Sequence, residues 1–321
     1  MKDYGEIPGG NCSLKELLYP FQRNYPLKLW SKYRWCKNKK LRIILPTLNQ
    51  KEKWLTIVDR LGAPGDALIT SNVIRYIKKT YPRLKINCIT PNPELIKFDP
   101  DIDSLNQNET FYSFDSSYWE LIQRKEKKEN IVEHNLKKLG ISNFKYKANF
   151  HLSKDEVRWG KQKVESLGHN KLVLAICTKS KEKVKNWPKP MWDELLKLLL
   201  TRFSIIQLGD KHEPFFSSVT RFAGKLSMRE SASILSHANY FIGPDSLLMH
   251  IANGLNIPST IIFGGSRPVD CFGYSENVNL KNTPECSPCW IHEGYDVCSN
   301  AIACMSAISV DKVFSFISKK F

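Results

Sequence analysis

The chain has 321 residues, a net charge of +16 and 42% hydrophobic residues, so it can bury the cores of two ordinary domains or of one large one. No apolar run reaches the roughly 18–20 residues of a transmembrane helix, and the start of the chain lacks the apolar core of a signal peptide, so we expect a cytoplasmic protein. The positive charge favours three kinds of partner: nucleic acid, an anionic membrane surface or phosphorylated substrates.

Residues 1–40 are predicted to form a basic, aromatic N-terminal arm. Between Phe21 and Lys40 the sequence has seven Lys or Arg residues, no acidic residue and five aromatic rings. Such a mixture suits the interface between a membrane and water, where rings lie at the headgroup level. It equally suits a solvated arm whose rings pack on the first domain. Stacking on single-stranded nucleic acid is a third interpretation.

The next segment is predicted to contain two strands, Leu41–Pro46 and Trp54–Asp59, then a glycine-rich turn with Gly65 and Asp66. A helix and a further strand at Leu84–Ile89 complete a β-α-β unit. A carboxylate at the end of a strand can take the proton from a hydroxyl nucleophile. The alternative role of this carboxylate is to cap the helix that follows it.

The middle of the chain is predicted to be largely helical. Asp99–Asp103 is an acidic turn, and Trp119–Leu139 is a charged helix with His134 on its surface. Ser153 and Glu156 have the spacing of a capping box, which opens the next helix. We expect the domain boundary close to this helix.

A lysine-rich loop begins the second domain. It follows a predicted strand at Lys171–Cys177, includes Thr178 and Lys185, and ends at Pro188, which begins a helix well. Lysines before a helix at the carboxyl edge of a sheet suit a diphosphate, and Thr178 is a weaker candidate for the same group. The alternative is a flexible basic loop.

A second β-α-β unit follows over residues 239–265. Its strands are predicted at Tyr240–Ile242 and Ser259–Phe263, and Asp245 or Ser246 caps the helix between them, which carries Leu248 on its apolar face. The free N–H groups and the dipole of the helix favour a phosphate at this turn. A carboxylate repels phosphate, so a sugar hydroxyl is the better partner for Asp245.

Four of the nine cysteines lie close together near the C-terminus, at Cys286, Cys289, Cys298 and Cys304. Without a secretion signal, they argue against a disulfide framework. Close pairs of thiolates suit tetrahedral zinc or iron, with His292 as a substitute ligand. The alternative is a turn-rich flap of reduced cysteines.

Both β-α-β units resemble glycosyltransferase family 9, the heptosyltransferases of lipopolysaccharide synthesis. The second unit follows the family's Asp-Ser/Thr-Gly-x-x-His pattern except at the glycine, and a proline and a strand that ends in Phe-Gly come after it. Leu247 stands where the family usually has glycine, and a side chain there would narrow a donor pocket. The residues that match are Asp245, Ser246, His250, Pro258, Phe263 and Gly264.

The resemblance also implies roles for individual residues. The turn at Asp66 matches the family's Gly-x-x-Gly-Asp motif, whose aspartate is the proposed catalytic base. Lys185 matches a phosphate-binding lysine before Trp-Pro, and Lys225 lies in a segment similar to one that lines the nucleotide base. Cys289-Trp290 is similar to an element with an iron ion in heptosyltransferases that modify autotransporter adhesins. The full implied set of substrate-binding residues is Gly65, Thr178, Lys185, Lys225, Asp245, Ser246, Leu247, Leu248 and His250.

The fold that the resemblance implies is the α/β GT-B fold, with two facing Rossmann-like doubly wound domains and a cleft between them. We expect an acceptor-side domain over residues 41–160 and a nucleotide-sugar-binding domain over 161–321, with a cysteine-rich flap at 286–304. The implied reaction moves a heptose-like sugar, with inversion, from a nucleotide-diphosphate donor to a saccharide or glycoconjugate acceptor. No catalytic metal is expected, and a structural zinc or iron ion would bind the four cysteines.

Two other functions fit parts of the sequence. A sugar-nucleotide epimerase or hydrolase would share the fold and the donor site but use no acceptor. A nucleic-acid-binding zinc protein would use the basic charge and the cysteines, but it has no need for the paired strand-turn motifs. We therefore expect a glycosyltransferase that contacts an anionic membrane peripherally, and we do not expect nucleic acid as a partner.

Overall fold

The computed structural model describes residues 40–108, 110–168, 171–291 and 298–321. The predicted arm, apart from Lys40, and the candidate ligand His292 lie outside these residues. By compactness the chain divides into two units. The first contains the described residues up to Tyr118 together with His134–Phe144, and the second contains Trp119–Glu133 and Lys145–Phe321.

The first unit is built on a parallel sheet of four strands in the order β3-β2-β1-β4. The two central strands bury every residue except the first, as is typical of a parallel sheet that is covered on both faces. The elements, in chain order, are α1 (40–50), β1 (Trp54–Asp59), α2 (Pro64–Thr80), β2 (Lys85–Ile89), a 3₁₀ turn (Pro93–Leu95), β3 (Ser104–Leu105) and β4 (Ser113–Ser116).

The strand predicted at Leu41–Pro46 is wrong, because residues 40–50 are helical. Leu41, Leu45 and Leu48 are buried, whereas Ile43 is 71% exposed. Spacings of four and three residues between buried positions are those of a helix. The apolar run is too short to distinguish the two structures, and the burial pattern decides between them.

The single helix predicted over Trp119–Leu139 is also wrong, because the structure has two short helices, α3 (Trp119–Gln123) and α4 (Ile131–Lys138). Lys125 between them has a left-handed φ of 49°. The carboxylate of Glu126 accepts hydrogen bonds from the next two backbone N–H groups. The charge run therefore forms a turn, since its side chains satisfy the backbone locally.

His134 was predicted on the surface and is only 6% exposed. It lies one helical turn after Ile131, which is fully buried, so the two side chains share one face of α4. The prediction for His134 was wrong because its charged neighbours in the sequence suggested an exposed helix face.

The second unit is built on a parallel sheet of six strands in the order β10-β9-β8-β5-β6-β7. The predicted capping box at Ser153 is confirmed, and a second box is present at Ser227; each has bonds in both directions. The elements are α5 (Lys154–Glu165), β5 (Leu172–Ile176), a 3₁₀ turn (Lys183–Lys185), α6 (Lys189–Leu199), β6 (Phe203–Gln207), β7 (Thr220–Arg221), α7 (Met228–Leu235), β8 (Tyr240–Pro244), α8 (Leu247–Gly254), β9 (Ser259–Gly264), α9 (Val269–Phe272), β10 (Val278–Lys281), α10 (Ala303–Ser306) and α11 (Val310–Ser318).

The strand order explains which loops meet in the second unit. β8 lies between β9 and β5, and it is paired with β5 although β6 and β7 separate the two in the chain. Because parallel strands point the same way, the loops after these three strands share one edge of the sheet. This edge holds the polar residues of the predicted donor site.

In the part of the chain that the structure describes, every helix is too short or too polar to span a lipid bilayer.

Candidate active site

The Asp66 carboxylate lies at the start of α2, at the carboxyl end of β1. Its Oδ2 accepts a hydrogen bond from the backbone N–H of Ala63 at 3.1 Å, and its Oδ1 accepts one from the Tyr118 hydroxyl at 2.8 Å. The side chain is 7% exposed, and Gly65 beside it is half-buried. The carboxylate therefore caps its helix, and Tyr118 holds its other oxygen. A role as catalytic base stays a prediction.

Asp59 is a second carboxylate in the same turn, and sequence reasoning missed it. It ends β1, is 3% exposed, and accepts hydrogen bonds from the Gly62 N–H at 3.0 Å and the Thr90 hydroxyl at 2.9 Å. Burial, and then the charge of Asp66, raise the pKa of Asp59 to about 7. The sequence did contain a signal for Asp59, because this aspartate ends a predicted strand seven residues before Asp66.

Lys185 and Asp245, both predicted donor-site residues, are in direct contact in the second unit. The Lys185 ammonium lies 2.8 Å from Asp245 Oδ2 and 3.0 Å from Glu182 Oε2. Lys185 ends the 3₁₀ turn after β5, and Asp245 follows β8. Both side chains are largely buried, where an ion pair is screened less than at the surface.

Ser246 occupies the capping position of α8, but the predicted side-chain cap is wrong for this residue. Its backbone is more extended, with φ of −153°, than the serines of the two capping boxes, where φ is −71° and −65°. Its buried hydroxyl makes no capping bond. The first N–H groups of α8 therefore lack a serine cap, which suits a ligand anion.

His250 is buried within α8, and its Nδ1 lies 2.6 Å from the Tyr274 hydroxyl. Burial lowers the pKa of His250 to about 4, although the charge of Asp245 acts in the opposite direction. The ring is therefore neutral at physiological pH. Of the other candidates on α8, Leu248 is buried and Leu247 is half-buried.

Thr178 is buried, and its hydroxyl and its N–H both donate to Glu213 Oε2, at 2.5 and 2.8 Å. The pKa of Glu213 is raised, because the effect of burial outweighs the opposite effect of these hydrogen bonds. The candidate hydroxyl is thus held by an internal carboxylate. Lys225 is exposed, and among the described residues its side chain makes no hydrogen bond or ion pair.

Arg267 and Glu182 were missed by the sequence analysis. Arg267 follows β9, is 3% exposed, and its Nη2 lies 3.1 and 3.2 Å from the two oxygens of Glu182. Since Glu182 also contacts Lys185, these residues continue the ion pair with Asp245 into a line of alternating charges. The sequence signal for Arg267 was its place in the loop after β9, the third strand whose carboxyl end lies at the edge with Lys185 and Asp245.

The four C-terminal cysteines line one cavity of ≈ 20 Å³, beside the Gly265 turn. All four are free thiols. Burial raises the pKa of Cys304, and the charges of the other three cysteines add to this effect. Within the described ranges, however, no group of three or more His, Cys, Asp or Glu side chains has the arrangement of a metal site.

Comparison with known proteins identifies a family and several similar structures. Residues 117–294 match the model of glycosyltransferase family 9 (heptosyltransferase), and a comparison with curated protein sequences gives no match. The structure is similar to the family 9 glycosyl transferase of Veillonella parvula, with 13% identity, a TM-score of 0.64, and 83% of this chain and 96% of that chain covered.

Two Escherichia coli structures are also similar. The iron-containing dodecameric glycosyltransferase TibC, from enterotoxigenic E. coli, has 18% identity, a TM-score of 0.66, and coverage of 83% of this chain and 75% of that chain. ADP-heptose lipopolysaccharide heptosyltransferase II has 13% identity, a TM-score of 0.56, and coverage of 83% and 98%. The predicted α/β fold is confirmed, since parallel sheets flanked by helices match these enzymes. Because the family model matches more than half of the chain, the chain belongs to glycosyltransferase family 9 (heptosyltransferase) and is a glycosyltransferase.

Proposed function

We propose that the protein moves a heptose-like sugar, with inversion, from a nucleotide-diphosphate donor to a saccharide or glycoconjugate acceptor in cell-surface polysaccharide or lipopolysaccharide synthesis. The observation that carries this proposal is the contact between Lys185 and Asp245, at the edge where β5 and β8 end. The similar structures include TibC with ADP-D-beta-D-heptose and heptosyltransferase WaaC with ADP. These neighbours support a nucleotide-heptose as the donor.

The second unit supplies the donor site in this proposal. Lys185 and the first N–H groups of α8 stabilise the charge of the departing diphosphate, and Asp245 accepts a hydrogen bond from a sugar hydroxyl. His250, neutral and bonded to Tyr274, supports the start of α8. Thr178 shapes the loop through Glu213, and Lys225 contacts the nucleotide base.

The first unit supplies the base and forms the acceptor-side domain. Asp66 takes the proton of an acceptor hydroxyl, whose oxygen attacks the anomeric carbon of the sugar. The bond from that carbon to the diphosphate breaks, and the nucleotide diphosphate leaves with the electron pair. General base catalysis of this kind contributes roughly 10²- to 10⁴-fold to a rate.

The variant Asp66→Asn tests this assignment. The amide oxygen of asparagine can still accept the hydrogen bond from the Ala63 N–H, so folding and binding of a nucleotide diphosphate should be retained. We expect turnover to fall about 10²-fold or more, because an amide cannot accept the proton. Calorimetric titration with ADP, GDP and UDP, together with turnover of a panel of nucleotide-heptoses, measures the two effects separately.

Asp103→Asn is the matched control, since Asp103 is another carboxylate of the first unit, paired with Lys78 and Lys85. It should turn over at the wild-type rate. Unchanged turnover in Asp66→Asn would remove this residue from the chemistry. Donor hydrolysis without any acceptor would favour the hydrolase alternative.

We also propose that the four cysteines hold a structural zinc or iron ion. The four thiols line one cavity, thiolates are the ligands that structural zinc and iron sites use, and the Asn300 amide and the Ile302 N–H donate to the sulfurs of Cys286 and Cys298 at 3.3 and 3.4 Å. N–H donors of this kind stabilise thiolates. Four thiolates leave no open position, so the ion would support the fold and take no part in transfer.

A cytoplasmic location with peripheral contact to an anionic membrane is a further part of the proposal. The net charge of +16 supports it, because basic proteins are attracted to anionic lipid. Co-sedimentation with anionic and with neutral vesicles tests it, and equal binding to both would count against it.

A further inference from the structure

Four side chains of alternating charge form a continuous line in the second unit, which we call the ion chain: Arg267, Glu182, Lys185 and Asp245. Arg267 Nη2 lies 3.1 Å from Glu182, Glu182 lies 3.0 Å from Lys185, and Lys185 lies 2.8 Å from Asp245. All four side chains are buried or nearly so. Electrostatic effects between them are therefore stronger than at an exposed surface.

Lys185 has a carboxylate on each side, and each carboxylate competes with a ligand phosphate for its ammonium group. The ion chain has two positive and two negative members and is neutral. Without the charge of Arg267 it would carry one net negative charge, which repels a diphosphate. Without the charge of Glu182 it would carry one net positive charge, which attracts a diphosphate.

Arg267 is held in place by the cysteine flap as well as by Glu182. Its Nη1 donates to the carbonyl of Ile291 at 3.1 Å, and its guanidinium lies 5.2 Å from the centre of the Trp290 ring. The backbone N–H of Trp290 donates to the carbonyl of Ser266, and its indole N–H donates to the backbone carbonyl of Glu126. Trp290 follows Cys289 directly, so a shift of Cys289 would move the ring on which the guanidinium packs.

We propose that Arg267 is a positioning residue, which is held by Trp290 and draws the charge of Glu182 away from Lys185, so that the lysine can bind the diphosphate of the donor. This inference rests on the proposed donor site. It adds that the cysteine flap influences phosphate binding at Lys185, and that this influence passes through Arg267 and Glu182.

The sign of the effect distinguishes this role from a merely structural one. In Arg267→Gln, Glu182 loses the guanidinium but stays beside Lys185, and we expect the Kd for the tightest-binding nucleotide among ADP, GDP and UDP to rise about tenfold or more. In Glu182→Gln, the Kd should stay at the wild-type value or fall. In the double variant, the Kd should return to within about threefold of wild type. Calorimetric titration measures all three.

A second measurement needs no nucleotide. An ammonium group that is held more tightly by a carboxylate is acylated more slowly, so mass spectrometry of Lys185 after treatment with acetic anhydride should give slower labelling in Arg267→Gln and faster labelling in Glu182→Gln. Arg158→Gln is the matched control, since Arg158 pairs with Asp155 on the exposed face of α5. It should change neither the Kd nor the labelling.

The inference is overturned if the double variant binds no better than Arg267→Gln, or if Lys185 is labelled equally in all variants. Failure of the wild type to bind any nucleotide diphosphate would overturn the proposed function instead, and the labelling would still decide the link between Arg267 and Lys185. A donor KM that rises in Arg267→Gln at constant kcat would separate it from Asp66→Asn, which lowers kcat.

Discussion

Asp59 makes the stability of the first unit depend on pH. Burial, and then the charge of Asp66, raise its pKa to about 7 in the folded state, whereas an unfolded aspartate ionises near pH 4. Between these values the folded state binds more protons. The contribution of Asp59 to the free energy of unfolding is therefore greatest below about pH 4, falls as the pH rises to about 7, and then levels off.

The variant Asp59→Asn should remove this dependence. An amide stays neutral, and its oxygen can still accept the N–H of Gly62. We expect the variant to be more stable than wild type at pH 8, by on the order of 2 kcal/mol, and the difference to shrink as the pH falls towards 4. Urea unfolding at pH 5 and pH 8 measures it. A difference that does not change between these pH values would contradict the assignment.

Asp103→Asn is the control of opposite sign. Burial alone would raise the pKa of Asp103, but hydrogen bonds from the Ile86 N–H and from Lys78 outweigh it and lower the pKa. Its carboxylate therefore stabilises the folded state above about pH 4. This variant should be less stable than wild type at pH 8, and the loss should disappear in acid.

Among the helices, α5 and α7 approach so closely that only glycine fits at position 160. A Cβ atom there would lie 2.2 Å from the carbonyl oxygen of Ser233. The same two helices are joined by the ion pair of Arg229 and Glu156, which resists their separation. We expect Gly160→Ala to lower the free energy of unfolding by about 2–3 kcal/mol, measured by denaturant unfolding.

Gly168→Ala separates this steric effect from the backbone effect. Gly168 has a φ of +64°, and a Cβ atom there would meet nothing within 4 Å. The substitution should cost only the left-handed conformation of alanine, about 1 kcal/mol. Equal losses in the two variants would show that α5 and α7 can move apart freely.

At the scale of the whole molecule, metal binding by the four cysteines of the flap would affect the stability of the second unit. We expect the purified protein to retain about one zinc or iron ion per chain by elemental analysis, and Cys286→Ser and Cys298→Ser to lose it. Chelation should then lower the midpoint of thermal unfolding, because the bound ion contributes to folding. Cys88→Ser is the control, since Cys88 is a buried thiol of the first unit. Metal-free wild type with an unchanged midpoint would exclude the site.

Local chemistry explains what could be predicted from the sequence. Cap residues and helix starts depend on neighbours within four positions, so the boxes at Ser153 and Ser227 and the turn at Asp66 follow from the sequence alone. The matches to the motifs of glycosyltransferase family 9 are of the same kind. Short apolar or charged runs, such as Leu41–Pro46 and Trp119–Leu139, take their structure from what covers them, and both predictions were wrong.

Only the tertiary structure decided which charges act together. Glu182, Asp245 and Arg267 follow β5, β8 and β9 in the sequence, and the order of the sheet makes them neighbours. The sequence determined the family and the residue types at each turn, because these are encoded within a few positions. The pairing of Lys185 with Asp245, and the burial that shifts the pKa of Asp59, depend on groups brought together by the packing of the sheet, and a linear pattern does not contain those distances.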